Sequence, residues 1–452
     1  MLDNRFKDYV ETHINDFAMD VVRLVSQPSV SARREGLEEC ASLVERMMRE
    51  AGLKTRILRL EDAPPLVYGE IGSSKSEKTI LFYNHYDVQP EEPRELWKTD
   101  PFKGEIREGR IYGRGASDDK GEFVSRLKLV ESYLNVYGET PCRFKFCVEG
   151  EEEIGSKHLD QYVSRNSDLF KSDAVFWEYG EIDLTGRPSI ALGMKGMIYL
   201  ELRIKELDFD AHSSTAAVLP SAPWKLVRLL NAIKDENERI LIPGWYDNVE
   251  NISEEEELLL KSQDFDSQSF LKAHGARSFI GGMTSEQAKK ALALRPTANI
   301  AGIYSGYTGP GSKTVLPCEA FAKMDFRLVP DQDPQDLLEK LRKYLNEKGY
   351  GDVEIRVESM ERAARTSFKD PFVLSAKEAA EYVFGTKPVI KISESGTGPL
   401  YVFTHRYKVP AVVMGVSSTD SMIHAPNENL RIENLKKGIM WFAETVERYL
   451  TT

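Results

Sequence analysis

The sequence predicts an α/β chain with a mixed, helix-flanked sheet built from two chain segments and a smaller α+β unit of ferredoxin-like order between them. Three observations carry this. Strand-like and helix-like runs alternate up to about residue 190 and again from about 366. Between those stretches the order is β-α-β-β-α-β once residues 239–296 are set aside. The 452 residues are also more than one ordinary core accommodates. The boundaries follow as 1–190 and 366–452 for the larger domain and 191–365 for the smaller. Insertion of one domain into another costs little when the inserted ends lie close together.

The elements read as follows. Residues 4–25 carry Phe6, Val10, Ile14, Phe17, Val21 and Leu24 on one helical face. A second helix spans about 36–51 and stops at Gly52. Strands follow at 54–59, 66–71 and 78–83, the last (KTILFY) apolar enough to be buried on both faces. Residues 104–112 suggest a hairpin, 122–137 a helix, 143–148 a strand, and 174–177 a strand after another helix. The smaller domain reads as strand 198–204, helix 223–233, an irregular, acidic, partly helical insertion at 239–296, strands 298–304 and 320–329, helix 334–348 and strand 353–357. The α/β style then returns with helix 372–384, strands 389–392 and 411–415, and a last helix, 432–449.

Composition narrows the class. A net charge of -12 argues against nucleic-acid or anionic-membrane partners. The N-terminal stretch is charged and lacks the apolar core of a signal peptide, and no run reaches the roughly 18 apolar residues of a membrane span. Cys40, Cys142, Cys147 and Cys318 show no CxxC spacing, so reduced thiols in a cytoplasmic protein are expected.

Polar residues cluster where strands end, which in open α/β sheets is the edge that binds ligands. His85 and Asp87 form an HxD pair after KTILFY; Asp118 and Asp119 follow the Gly-rich turn GRIYGRGAS. Glu149, Glu151, Glu152 and Glu153 crowd one turn, Glu178 ends a strand, and His424 lies in the loop SMIHAPNEN. Taken singly, each is more commonly a surface or structural residue. Together they place ligand-type side chains at four strand ends of one sheet. Close-packed carboxylates repel, and burying them is costly unless cations pair them. Imidazole with carboxylate suits zinc, with manganese or cobalt as alternatives.

These residues, in this order, resemble the dinuclear-zinc metallopeptidase family of carboxypeptidase G, acetylornithine deacetylase and aminoacylase. The likeness covers nearly the whole chain. It is strongest to the cytosolic nonspecific dipeptidase (carnosine dipeptidase-like) branch, through WKTDPF, IYGRGASDDKGE, EGEEEIGS, ILIPG, GSKTVLP and FRLVP. The resemblance implies a zinc-exopeptidase-like catalytic domain with an inserted lid and dimerisation domain. It implies that His85 and Glu178 bind one metal, Glu153 and His424 the other, and that Asp118 bridges them across a cis Asp118–Asp119 bond. Asp87 would orient His85, and Glu152 would be the general base. In the lid, His212 would reach the partner subunit's site in a homodimer and steady the oxyanion. Arg327 would hold the substrate carboxylate, with Thr314, Gly396, Thr397 and Asn299 as further substrate contacts. His13, His158, His274 and His405 match no site position.

Two residues depart from the dipeptidase pattern. Glu178 stands where that branch tends to carry Asp, and Glu there goes with carboxypeptidases and deacylases. The stretch 360–365 lacks a His that some dipeptidases use. The implied activity is hydrolysis of a dipeptide or short peptide with a free C-terminal carboxylate, by a two-metal activated water and a Glu base. An N-acyl-amino-acid deacylase is the alternative within enzymes, and a non-catalytic binding homologue the alternative outside them.

Overall fold

The computed structural model describes residues 2–249 and 252–452; positions 250 and 251, within the predicted insertion, lie outside the described residues. The chain forms two compact units, residues 1–193, 365–393 and 399–452 in the first and 194–364 with 394–398 in the second. The five residues Glu394–Gly398 therefore pack with the second unit, although the sequence boundaries put them in the last segment of the first.

In the first unit, eight strands form one sheet in the order Lys54–Leu58, Leu66–Ile71, Arg143–Glu149, Thr79–His85, Ala174–Trp177, Ala411–Val413, Ser189–Ala191 and Val389–Lys391. The middle four run parallel, so their C-terminal ends share one edge. Thr79–His85 is buried on both faces beyond its first residue, as its unbroken apolar run requires. Phe82 packs against Phe146 and Phe176 at ring-centroid distances of 4.9 and 5.3 Å. Helices Asn4–Val25, Lys120–Tyr137, Pro371–Phe384 and Ile432–Tyr449 pack on one another along this unit. Lys120–Tyr137 starts directly after Asp119, two residues before the sequence suggests, and ends at Gly138 in the left-handed region. Its first turn lies so close to the preceding loop that a Cβ on Gly121 would sit 2.1 Å from the Ala116 carbonyl oxygen.

In the second unit, four antiparallel strands run in the order Thr297–Ser305, Glu319–Leu328, Gly196–Lys205 and Glu354–Glu361. Numbered along the chain this is 2-3-1-4, the ferredoxin-like order. Gly196–Lys205 alternates strictly, and Ile198, Leu200, Leu202 and Ile204 face a core with residues of helices Ala222–Ile233 and Pro334–Glu347. The insertion is more regular than its acidic sequence suggests. It contains helices Glu254–Ser262, Ser267–Ala273 and Ser285–Leu294, the first and third opened by capping boxes, Ser253 with Glu256 and Thr284 with Gln287. Among the described residues, no helix is long and apolar enough to cross a membrane.

Candidate metal centre

Each ligand-type residue of the first unit is placed by a strand end or a tight turn. His85 is the last residue of its strand and is 1% exposed. Its Nδ1 lies 3.0 Å from the Asp87 main-chain oxygen and 3.3 Å from the Asp87 carboxylate. A donated bond there leaves Nε2 as the atom facing the acidic cluster. Nε2 lies 3.0 Å from Asp118 Oδ1 and 3.7 Å from Glu178 Oε2. The other Asp118 oxygen, Oδ2, lies 3.0 Å from Nε2 of His424, which is 3.1 Å from Glu153 Oε2. One carboxylate thus faces both histidines. The Asp118–Asp119 peptide bond is cis.

The supporting contacts explain this geometry. Glu428, fully buried, accepts from the main-chain N–H groups of Ser117 and Asp118 through Oε1 and from Gly115 N–H and Arg114 through Oε2. It lies four residues beyond His424, so it ties the Asp118 turn to the loop that carries the second histidine. The Asp87 carboxylate accepts from the N–H groups of Glu152 and Glu153, both at 3.1 Å. Asp87 therefore holds the glutamate turn as well as His85, a second task that its spacing in sequence does not signal. Gln89 donates to Glu153 Oε2 at 2.9 Å. Buried Arg126 pairs with Glu122 at 2.7 Å and donates to the main-chain oxygens of Trp177, Glu178 and Met414, which pins the strand end that presents Glu178.

Carboxylates outnumber imidazoles in the cluster. Burial alone would pull the His85 imidazole pKa down, but Glu178, Asp118 and Asp87 outweigh it and push it well up. Hydrogen bonds to Asp118 and Glu153 raise His424 to about 10. Burial raises Glu178 and Glu152 well above the usual carboxylate range, and neighbouring carboxylates add to it. Asp118 moves down despite its burial, because both histidines bond to it. Glu153 Oε1, Glu178 Oε2 and Asp119 Oδ1 are buried without a hydrogen-bond partner among the described residues. Orphaned carboxylate oxygens beside imidazole nitrogens are what a pair of divalent cations would satisfy. His85, Asp119 and Glu178 offer ligand atoms within 4.8 Å of one another, as do Asp118, Glu153 and His424. Asp119 lies in the first of these groups. Its Oδ2 accepts from Asn84 and from the His85 N–H, while Oδ1 is left for the first group.

The remaining candidates lie in the second unit and fall into two clusters. His212 Nδ1 accepts from the Ser214 N–H at 3.2 Å, and its Nε2 is 3.5 Å from Thr314 Oγ1. Arg327 Nη1 donates to Thr397 Oγ1 at 2.6 Å, and Gly396 accepts from the Lys195 N–H through its carbonyl. Asn299 donates to Asp325 at 2.8 Å, and Asp325 lies 3.7 Å from Arg327 Nε. Of the four unmatched histidines, His158 pairs with Glu151 at 3.0 Å, and His13 and His274 each contact a main-chain oxygen one helical turn back.

A central mixed sheet whose parallel strands end at an acid–imidazole cluster, buried at His85 and half-exposed at His424, defines a candidate metallohydrolase. Residues 81–448 match Peptidase family M20/M25/M40, and the chain belongs to that family. It is an enzyme, a peptidase. The M20 family metallo-carboxypeptidase Sso-CP2 from Sulfolobus solfataricus is 38% identical, with a TM-score of 0.91 over 96% of this chain and 98% of that one. The Beta-Ala-His dipeptidase of Homo sapiens is 30% identical over 84% of this chain and 76% of the relative. The Cys-Gly metallodipeptidase of Schizosaccharomyces pombe is 28% identical over 98% and 97%.

Proposed function

We propose that the chain is a metal-dependent exopeptidase that hydrolyses dipeptides or short peptides next to a free C-terminal carboxylate. The observation that carries this reading is Asp118, whose two oxygens each lie 3.0 Å from the Nε2 of a different histidine. His85 and Glu178 would hold one ion, Glu153 and His424 the other, and Asp118 both. Asp119 is a further candidate at the first. This donor set suits zinc, with manganese or cobalt as alternatives. Two such ions, when bound, acidify water and polarise the scissile carbonyl.

The chain's own residues do the rest. Asp87 fixes the tautomer of His85 and the position of the glutamate turn. Glu152 takes a proton from the attacking water on its carboxylate and hands it to the leaving amine nitrogen. Arg327 binds the substrate carboxylate through its guanidinium, assisted by Thr397, Gly396, Thr314 and Asn299. His212 donates from Nε2 to the developing oxyanion of the partner subunit in a homodimer. The homodimer is supported by apolar side chains exposed on the second unit, Ile300, Ile303 and Tyr304 on an edge strand and Trp224 and Val227 on a helix. The free cysteines support a cytoplasmic location.

The names of the relatives support a dipeptide substrate. Glu178 and the likeness to a carboxypeptidase favour a second form of the reading, release of the C-terminal residue from longer peptides. A panel of dipeptides, tri- to pentapeptides and N-acetyl and N-succinyl amino acids tests both. Cleavage of dipeptides with little of the longer series identifies a dipeptidase, and cleavage of both a carboxypeptidase. Activity confined to the N-acyl compounds refutes the proposal.

A further inference from the structure

We propose that a cavity in the second unit receives the side chain of the substrate's C-terminal residue, and that this side chain is large and apolar. The inference rests on Arg327 as the holder of the substrate carboxylate. The cavity has a volume of about 290 Å³, and Phe270, Phe279, Ile280, Met283, Leu292 and Arg327 are among its lining residues. All five apolar walls lie in the insertion between Ser267 and Leu294: Phe270 and Leu292 on two helices, Ile280 in the short turn between them, and Phe279 and Met283 at either end of that turn. The insertion thereby acquires a role that its acidic, irregular sequence does not suggest.

Two features make the occupant specific. The first is connectivity. In a C-terminal residue the carboxylate carbon and the side chain share one Cα, so a carboxylate held by Arg327 starts its side chain within reach of the cavity that Arg327 itself lines. The second is charge. Lys195 Nζ is committed to the main-chain oxygens of Ala291 and Arg295, at 3.4 and 2.7 Å. Lys234 Nζ bonds Glu238 and the Ala298 carbonyl, and Arg295 bonds the carbonyls of Asn237 and Glu238. Burial, with the nearby Arg327 guanidinium, lowers the Lys195 pKa to about 8. The wall cations are therefore held by the protein. With Lys234 paired to Glu238 and the other two on main-chain oxygens, the charged groups of the wall are engaged within the protein, and an acidic or basic side chain would have to compete with those contacts. Arg327 differs, because Nη1 bonds Thr397 and no acceptor engages Nη2 among the described residues. Its guanidinium edge is open to a carboxylate while the cavity beside it takes apolar bulk.

The test is kcat/KM for dipeptides Ala-X with the metal-loaded full chain, X being Gly, Ala, Leu, Phe, Asp or Lys. Leu and Phe are expected to exceed Gly by on the order of 10- to 100-fold, with Asp and Lys poorest. Ala291→Phe, which fills the cavity, is expected to bring the Leu-to-Ala ratio close to one. Phe279→Ala, which enlarges it, is expected to shift preference from Leu toward Phe. Reading ratios separates selectivity from a folding loss, which lowers all substrates alike. Cleavage with a flat dependence on X, or ratios unmoved by both variants, overturns the subsite and leaves the exopeptidase reading standing. Cleavage of no dipeptide or longer peptide overturns both.

Discussion

Replacing Glu428 by Gln changes almost no volume but removes half of what the side chain does. Oε1 accepts from two main-chain N–H groups at 3.0 Å, and Oε2 accepts from Gly115 N–H at 3.0 Å and Arg114 at 2.8 Å. An amide has one oxygen, so whichever way it turns, its NH₂ faces two donors. Losing two bonds to a charged acceptor costs about 3–6 kcal/mol. Breaking a buried ion pair costs about 3–5 kcal/mol, and Arg114 and Glu428 are 1% and 0% exposed. These describe overlapping losses, so about 4 kcal/mol is expected, a large part of the roughly 5–15 kcal/mol that holds a typical domain folded. The Asp118 N–H is among the groups affected, and displacing Asp118, the proposed bridge, is expected to lower kcat by about 100-fold. Urea unfolding gives the first quantity and steady-state dipeptide hydrolysis the second. A stability change under about 1 kcal/mol with unaltered turnover would refute the claim that Glu428 holds the Asp118 turn.

Other perturbations address separate parts of the account. Glu152→Gln should keep its metal content and lose about 10²- to 10⁴-fold in kcat, and near-normal rates would remove Glu152 from the role of base. Chelation should lower Tm, because the carboxylate cluster loses its counter-charge; ions present at 100 times their Kd contribute about 2.7 kcal/mol, and an unchanged Tm would count against two resident cations. Burial raises Glu361 to about 7, against about 4.3 when unfolded, so the folded chain holds a proton that the unfolded chain has released. Stability from this group is present below about pH 4.3 and falls as pH rises to 7, and Glu361→Gln should be the more stable form at pH 8 by up to about 3 kcal/mol in urea unfolding. Mixing His212→Ala and Glu152→Ala subunits should restore part of the activity if His212 acts across a dimer, and no recovery would place it within its own subunit.

Much of the fold is legible because periodicity reports burial directly. KTILFY gives an inner strand, and the alternation of Ile198, Leu200, Leu202 and Ile204 gives a half-buried one. The ligand types are legible because few chemistries explain so many clustered acids and histidines, but the expected four strand ends of one sheet are three: Asp118 and His424 come from loops beside a separate three-stranded sheet. Long-range support is less so. Glu428 contacts residues more than three hundred positions earlier, and Arg126 reaches both Glu178 and Met414. Nothing in local sequence marks a glutamate or an arginine as the acceptor or donor for a distant main chain. The cavity wall is hidden for a related reason: Phe270 and Leu292 sit on different short helices, Phe279 and Met283 at the two ends of the turn between them, and only tertiary packing gathers them.

The central claim is that two metal ions, sharing Asp118, activate this chain for peptide hydrolysis. It is tested most directly by titrating the metal-free protein with Zn²⁺ or Mn²⁺ while hydrolysis of a dipeptide is followed. The account predicts that activity is absent at the start and reaches its plateau at two equivalents per chain. Full activity without added metal, or a plateau at one equivalent, would contradict it.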